Sequence, residues 1–73
     1  MMFSVIGEKT YILRHSKRLK ITTVANAIGV SHPVISQIEN GRYKALSLRL
    51  LFRIAEFYEV PIWDLIDPNN NRS

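Results

Sequence analysis

The side chains with the widest chemical reach in this 73-residue sequence are two histidines, His15 and His32, a serine, Ser36, two amides, Gln37 and Asn40, and two groups of cations. The histidines stand seventeen positions apart, with no acid or second imidazole at ligand spacing, so no metal site is expected. Ser36 follows His32 by one helical turn, a spacing that brings a nucleophile and its base together. No orienting acid or enclosing pocket is implied, however, and a chain this small rarely surrounds a substrate. Neither catalysis nor a cofactor is expected. What remains is hydrogen bonding and charge. Arg14, Lys17, Arg18 and Lys20 crowd one segment and Arg42, Lys44 and Arg49 another, while Glu56, Glu59, Asp64 and Asp67 fall towards the C-terminus. With ten Lys and Arg against six acids, one end of the molecule should be basic, which suits a polyanionic partner.

These groups need a scaffold. The hydrophobic share, 47%, and the charged share, 22%, match a folded domain rather than a disordered segment. With no cysteine there is no disulfide or thiolate metal site to compensate for small size, so packing or oligomerisation must do so. No apolar run approaches the ~20 residues of a membrane span, and Met1-Met2-Phe3-Ser4-Val5-Ile6 lacks the basic start of a signal peptide. A cytoplasmic protein without membrane contact is expected.

Helical periodicity runs through the chain. A first helix over 4–17 would carry Ile6, Thr10, Leu13 and Lys17 on one stripe, with Ile12 beside it. A second, over 21–28, repeats Ile21, Val24, Ala25 and Ile28 and stops at Gly29, which suits a left-handed C-terminus. Ser31 is a good N-cap for a third helix over 32–40, with Pro33 in the first turn, where its missing N–H is not needed. Val34, Ile35 and Ile38 would face inward; His32, Pro33, Ser36, Gln37 and Asn40 would face outward, and Gly41 would end the helix. Ser47 can cap a fourth helix over 48–58, with Leu48, Leu51, Ile54, Ala55 and Tyr58 as core stripe and Leu50, Phe52 and Phe57 widening it. Pro61 opens a last short helix, 62–66. The fold class is all-α, with one domain over 1–67 and a disordered tail over 68–73.

The third helix follows the second after only Gly29-Val30-Ser31, the spacing of a helix-turn-helix. Gly29-Val30-Ser31, the run Ile35 to Arg42 (Ile-Ser-Gln-Ile-Glu-Asn-Gly-Arg), Leu51, Ile54-Ala55, Val60-Pro61 and Leu65 together resemble Cro and repressor-type helix-turn-helix proteins, the XRE-like family, over roughly residues 6–66. The resemblance implies a compact five-helix, lambda-repressor-like domain, bacterial or phage-encoded, that reads double-stranded DNA with the 32–40 helix. It places His32, Pro33, Ser36 and Gln37 at base edges; Gln37 suits adenine and Pro33 a thymine methyl. Ser31, Asn40, Arg42 and Lys44 fall near phosphates, and Lys20 and Thr22 join them at the start of the bracing helix, where Thr22 could also serve as a late cap. Arg14 and Glu39 match a structural ion pair.

This chain departs from the family's usual residues at several positions. It has Lys20-Ile21 where relatives often carry Thr or Ser followed by Gln, Arg18 and Glu59 where they carry Gly at the ends of the first and fourth helices, and Leu46 in place of Pro. Trp63 stands where a polar residue is usual, and with Ile62 it suggests a dimer seam. The function implied is a transcription regulator, a homodimeric repressor on a palindromic operator. The alternative is a protein-interaction module, antirepressor or antitoxin-like, holding a regulatory protein partner. Ile21 and Pro33 favour it; the basic 14–20 and 42–49 segments argue against it.

Overall fold

In the computed structural model, which describes residues 2–66, the apolar periodicity is realised as five helices: α1 (Met2–Ser16), α2 (Ile21–Ile28), α3 (His32–Glu39), α4 (Leu48–Tyr58) and α5 (Trp63–Ile66). No strand occurs among the described residues. The tail expected over 68–73 lies outside them. α1 packs on α3 and α5, and α2 on α3 and α4, so the short α3 is clamped between two helices along its inner side. Every helix contributes to one core: Ile6 from α1, Val24, Ala25 and Ile28 from α2, Ile35 and Ile38 from α3, Leu51, Ile54, Ala55 and Tyr58 from α4, and Leu65 from α5. Each large aliphatic among them contributes about 1.5–3 kcal/mol by leaving water.

Leu48 of the expected α4 stripe and Phe52 of the arc widening it are not in that core. Leu48 is 65% exposed and Phe52 is 52% exposed. At 100° per residue they sit roughly 70° and 110° from the centre of the arc formed by Leu51, Ile54, Ala55 and Tyr58, on a flank left open to solvent among the described residues. Ile12, beside the α1 stripe, is likewise 55% exposed. Lys17 falls just past the end of α1 and is solvated, whereas Ile6 and Thr10 are buried. The buried Thr10 hydroxyl is satisfied within its own helix by the carbonyls of Ile6 at 2.9 Å and Gly7 at 3.0 Å.

The first four helices end in the same way. At each C-terminus a residue in the left-handed region reverses the chain, and it and its successor donate N–H groups back to the last turn. After α2 that residue is Gly29 (φ 90°) and after α3 it is Gly41 (φ 73°); after α1 and α4 it is Arg18 (φ 57°) and Glu59 (φ 58°). The bonds closing α1 run from Arg18 to His15 and from Leu19 to Arg14, at 3.0 and 3.1 Å, and those closing α4 from Glu59 to Glu56 and from Val60 to Ala55, at 3.1 and 3.0 Å.

The N-termini are less uniform. Ser47 caps α4 as expected, its hydroxyl accepting from the Leu50 N–H at 3.1 Å. Ser31 holds the N-cap position of α3 in an extended conformation, but its hydroxyl makes no capping bond. Thr22 is not a cap. α2 begins at Ile21, with Lys20 as its N-cap residue, because the Lys20 carbonyl already accepts from Val24 at 3.2 Å.

Candidate nucleic-acid interface

The turn between α2 and α3 is short because Gly29 supplies the left-handed reversal and Val30 drops against the core, leaving Ser31 extended to start the next helix. α3 then buries Ile35 and Ile38 and half-buries Val34. Its opposite face carries His32, Pro33 and Gln37, all exposed, with Ser36 half-buried among them and Asn40 exposed as the C-cap residue. The eight residues of α3 include no lysine or arginine.

Cations flank this face instead. Lys20 precedes α2, and Arg42 and Lys44 follow α3; all three are exposed. The loop that carries the latter pair is tied at both levels. The Arg42 N–H donates to the Gln37 carbonyl at 2.9 Å, and Tyr43 and Leu46 pack on the core on either side of Lys44. Alternation of anchor and charge thus turns two cations to solvent just past the end of α3. Lys17 and Arg18 are exposed in the α1–α2 connection, and Thr22 is exposed in the first turn of α2.

Glu39, the single acidic residue of α3, is turned away from this face. Arg14 grips it bidentately, Nε to Oε2 at 2.7 Å and Nη2 to Oε1 at 3.0 Å, with 11% of the Arg14 side chain and 6% of the Glu39 side chain exposed. The remaining guanidinium nitrogen, Nη1, donates to the Leu19 carbonyl at 2.9 Å. One arginine therefore joins the end of α1, the start of the next loop and the C-terminus of α3. The hydrogen bonds to Glu39 raise its pKa above the ordinary arginine value, against the opposing effect of burial. On its outer side, Arg14 lies 5.8 Å from the Tyr11 ring centre, and Tyr11 stacks on His15 at 4.0 Å.

Beneath the same pair, burial pushes the Tyr58 hydroxyl pKa up to about 12, helped by the charge of Glu39 and opposed by that of Arg14. Gly7 sets how closely α1 approaches α3. A Cβ at that position would lie 2.5 Å from the Ile38 carbonyl oxygen and 2.8 Å from that of Glu39. Sequence reasoning passed over Gly7, since a glycine inside a helical stretch signals no particular neighbour. Ile62 and Trp63 divide: Ile62 packs on the core, and Trp63 is 59% exposed.

A helix-turn-helix family model matches residues 11–62, from the second half of α1 to the start of the last turn. The chain belongs to the Cro- and C1-type helix-turn-helix family. That is a DNA-binding family and typically not an enzymatic one, and its helix pair corresponds here to α2 and α3. The domain is also similar to Homeobox-containing protein 1 of Caenorhabditis elegans, 47% identical over 45 residues; the match covers 62% of this chain and 10% of that protein's length. No solved structure matches it significantly. No helix of the described residues is long and apolar enough to cross a membrane.

Proposed function

We propose that this helix-turn-helix domain binds double-stranded DNA sequence-specifically as a transcription regulator, with α3 in the major groove and α2 bracing it across the backbone. The observation that carries this reading is the division of α3. Its inner side and Glu39 are locked to the core and to Arg14, while its other face is exposed and hydrogen-bonding, with exposed cations before α2 and just after α3 in the chain. In this reading His32, Pro33, Ser36 and Gln37 meet base edges. Lys20, Thr22, Ser31, Asn40, Arg42 and Lys44 contact phosphates, which fix register and supply the salt-dependent part of affinity.

The domain acts as a homodimeric repressor, occluding a promoter at a palindromic operator whose half-sites lie ~34 Å apart. A body 31 Å along its longest axis fits within that spacing, and exposed Trp63, next to core-packed Ile62, is the seam residue.

The test is selection of bound duplexes from a random pool at about 0.15 M salt, where contacts to phosphate alone are weakened. A two-fold symmetric sequence with half-sites one turn apart is expected; failure to enrich any sequence would remove the reading. A second reading, a module that holds a regulatory protein, is favoured by the solvated Leu48 and Phe52 on α4. It predicts no enrichment and a folded domain that captures a protein through that flank.

A further inference from the structure

The exposed face of α3 sets apart two kinds of contact that major-groove readers often combine. Arginine or lysine to the O6 and N7 atoms of guanine is the commonest specific contact in that groove. The sequence His-Pro-Val-Ile-Ser-Gln-Ile-Glu has neither residue, and its one acid is held by Arg14. The cations Lys20, Arg42 and Lys44 all stand outside the helix, before α2 or beyond Gly41. What α3 itself presents is an amide (Gln37), a ring with no hydrogen to donate (Pro33), an imidazole (His32) and a half-buried hydroxyl (Ser36).

Resting on the DNA-reading function proposed above, we infer that the bases beneath α3 form an A·T-biased half-site, with adenine opposite Gln37 and a thymine methyl against Pro33. An amide matches adenine because it donates to N7 while accepting from the N6 amino group, two bonds that guanine, with acceptors at both positions, cannot reciprocate. An apolar ring matches thymine because the C5-methyl is the one apolar group on that edge. The helix also fixes the distance between them. Four residues at 1.5 Å each separate Pro33 from Gln37 by about 6 Å along the axis, less than two base-pair steps of about 3.4 Å. The two A·T pairs therefore fall within two steps of each other.

The experiment selects duplexes with the intact chain and with Gln37→Arg, in parallel, followed by titration of the winning site. The expected wild-type motif has two A·T pairs within two steps. Gln37→Arg converts the adenine position to guanine and leaves the other unchanged, and Gln37→Ala lowers affinity for the selected site about 5- to 160-fold with little effect on random DNA. Replacing the thymine at the other position by uracil, which lacks only the methyl group, weakens the wild type but not Pro33→Gly, which has no side-chain carbon to meet that methyl. A wild-type motif with G·C at the position that responds to Gln37 overturns the inference and leaves DNA reading intact. So does an enriched motif in which no position responds to Gln37. Failure of the wild type to enrich any sequence overturns the proposed function as well.

Discussion

The helix ends on either side of the reading helix differ from those at the periphery in one respect. α2 and α3 are closed by Gly29 and Gly41, for which a positive φ is free of steric penalty, whereas α1 and α4 are closed in the same way by Arg18 and Glu59, for which it costs about 1 kcal/mol or more. The fold demands the same backbone at all four places; only the pair that positions α3 obtains it without strain. The peripheral turns must be held by their surroundings, and these differ. Arg18 sits next to Leu19, whose N–H bonds to the Arg14 carbonyl and whose carbonyl accepts from the Arg14 guanidinium, so one residue clasps the turn from both sides. At Glu59 the hold comes from the backbone bonds and from its neighbours, buried Tyr58 and partly buried Val60.

The largest effect should come from removing the clasp. Arg14→Ala strands the mostly buried carboxylate of Glu39 and frees the Leu19 carbonyl, so a loss of about 3–5 kcal/mol is expected in urea denaturation, as for a broken buried pair. Replacing both partners together, Arg14→Met with Glu39→Leu, should recover most of it, because no uncompensated charge is left. If the double variant were as unstable as Arg14→Ala, the bond to Leu19 rather than the ion pair would be what holds the turn.

The α4 end responds to pH instead. Tyr58 titrates near 10 when unfolded and at about 12 in the native state. A raised pKa means that the folded state favours the neutral phenol; its contribution is intact below pH 10 and disappears as pH rises through 12. The loss is about 2–3 kcal/mol across that window, and Tyr58→Phe should flatten this limb of a stability-versus-pH curve. An unchanged slope in the Phe variant would assign the alkaline loss to other groups.

Next in size is Gly7→Ala, where a methyl would meet the carbonyls of Ile38 and Glu39, groups that cannot move without α3. A loss of about 1–3 kcal/mol is expected, as for overpacking, together with weaker DNA binding because α3 is displaced. Destabilisation with binding unchanged would show that α1 yields rather than α3.

Gly7 also shows where sequence reading stops. The α2–α3 pair, its glycine turns and the Ser47 cap were legible because each is a local requirement that one or two residue types satisfy. The outward set His32, Pro33, Gln37 and Asn40 followed from period alone, and Ser36, at the edge of that arc, proved half-buried. The Arg14–Glu39 pair came from the family pattern, since a separation of twenty-five positions carries no local signal. Leu48 and Phe52 were misplaced because periodicity reports that a residue is apolar and on an arc, not whether another helix reaches that flank. The missing Thr22 cap reflects a helix that begins one residue before it.

The smallest effect sharpens the comparison most. Arg18→Gly and Glu59→Gly each relieve a left-handed residue without touching the core, so each should gain about 0.5–1 kcal/mol in urea midpoint. Their effects on DNA should diverge. Arg18 is an exposed cation in the connection leading to α2, and its loss should weaken binding to operator and random duplexes alike and lower the salt slope by up to about one. Glu59→Gly removes an acid and should not weaken binding. That divergence would explain a strained arginine at this turn by what its side chain does for DNA. Equal, unreduced binding by both variants would leave the strain at Arg18 without a compensating role and would confine the phosphate contacts to the set already assigned, with Lys20, Arg42 and Lys44 as its cations.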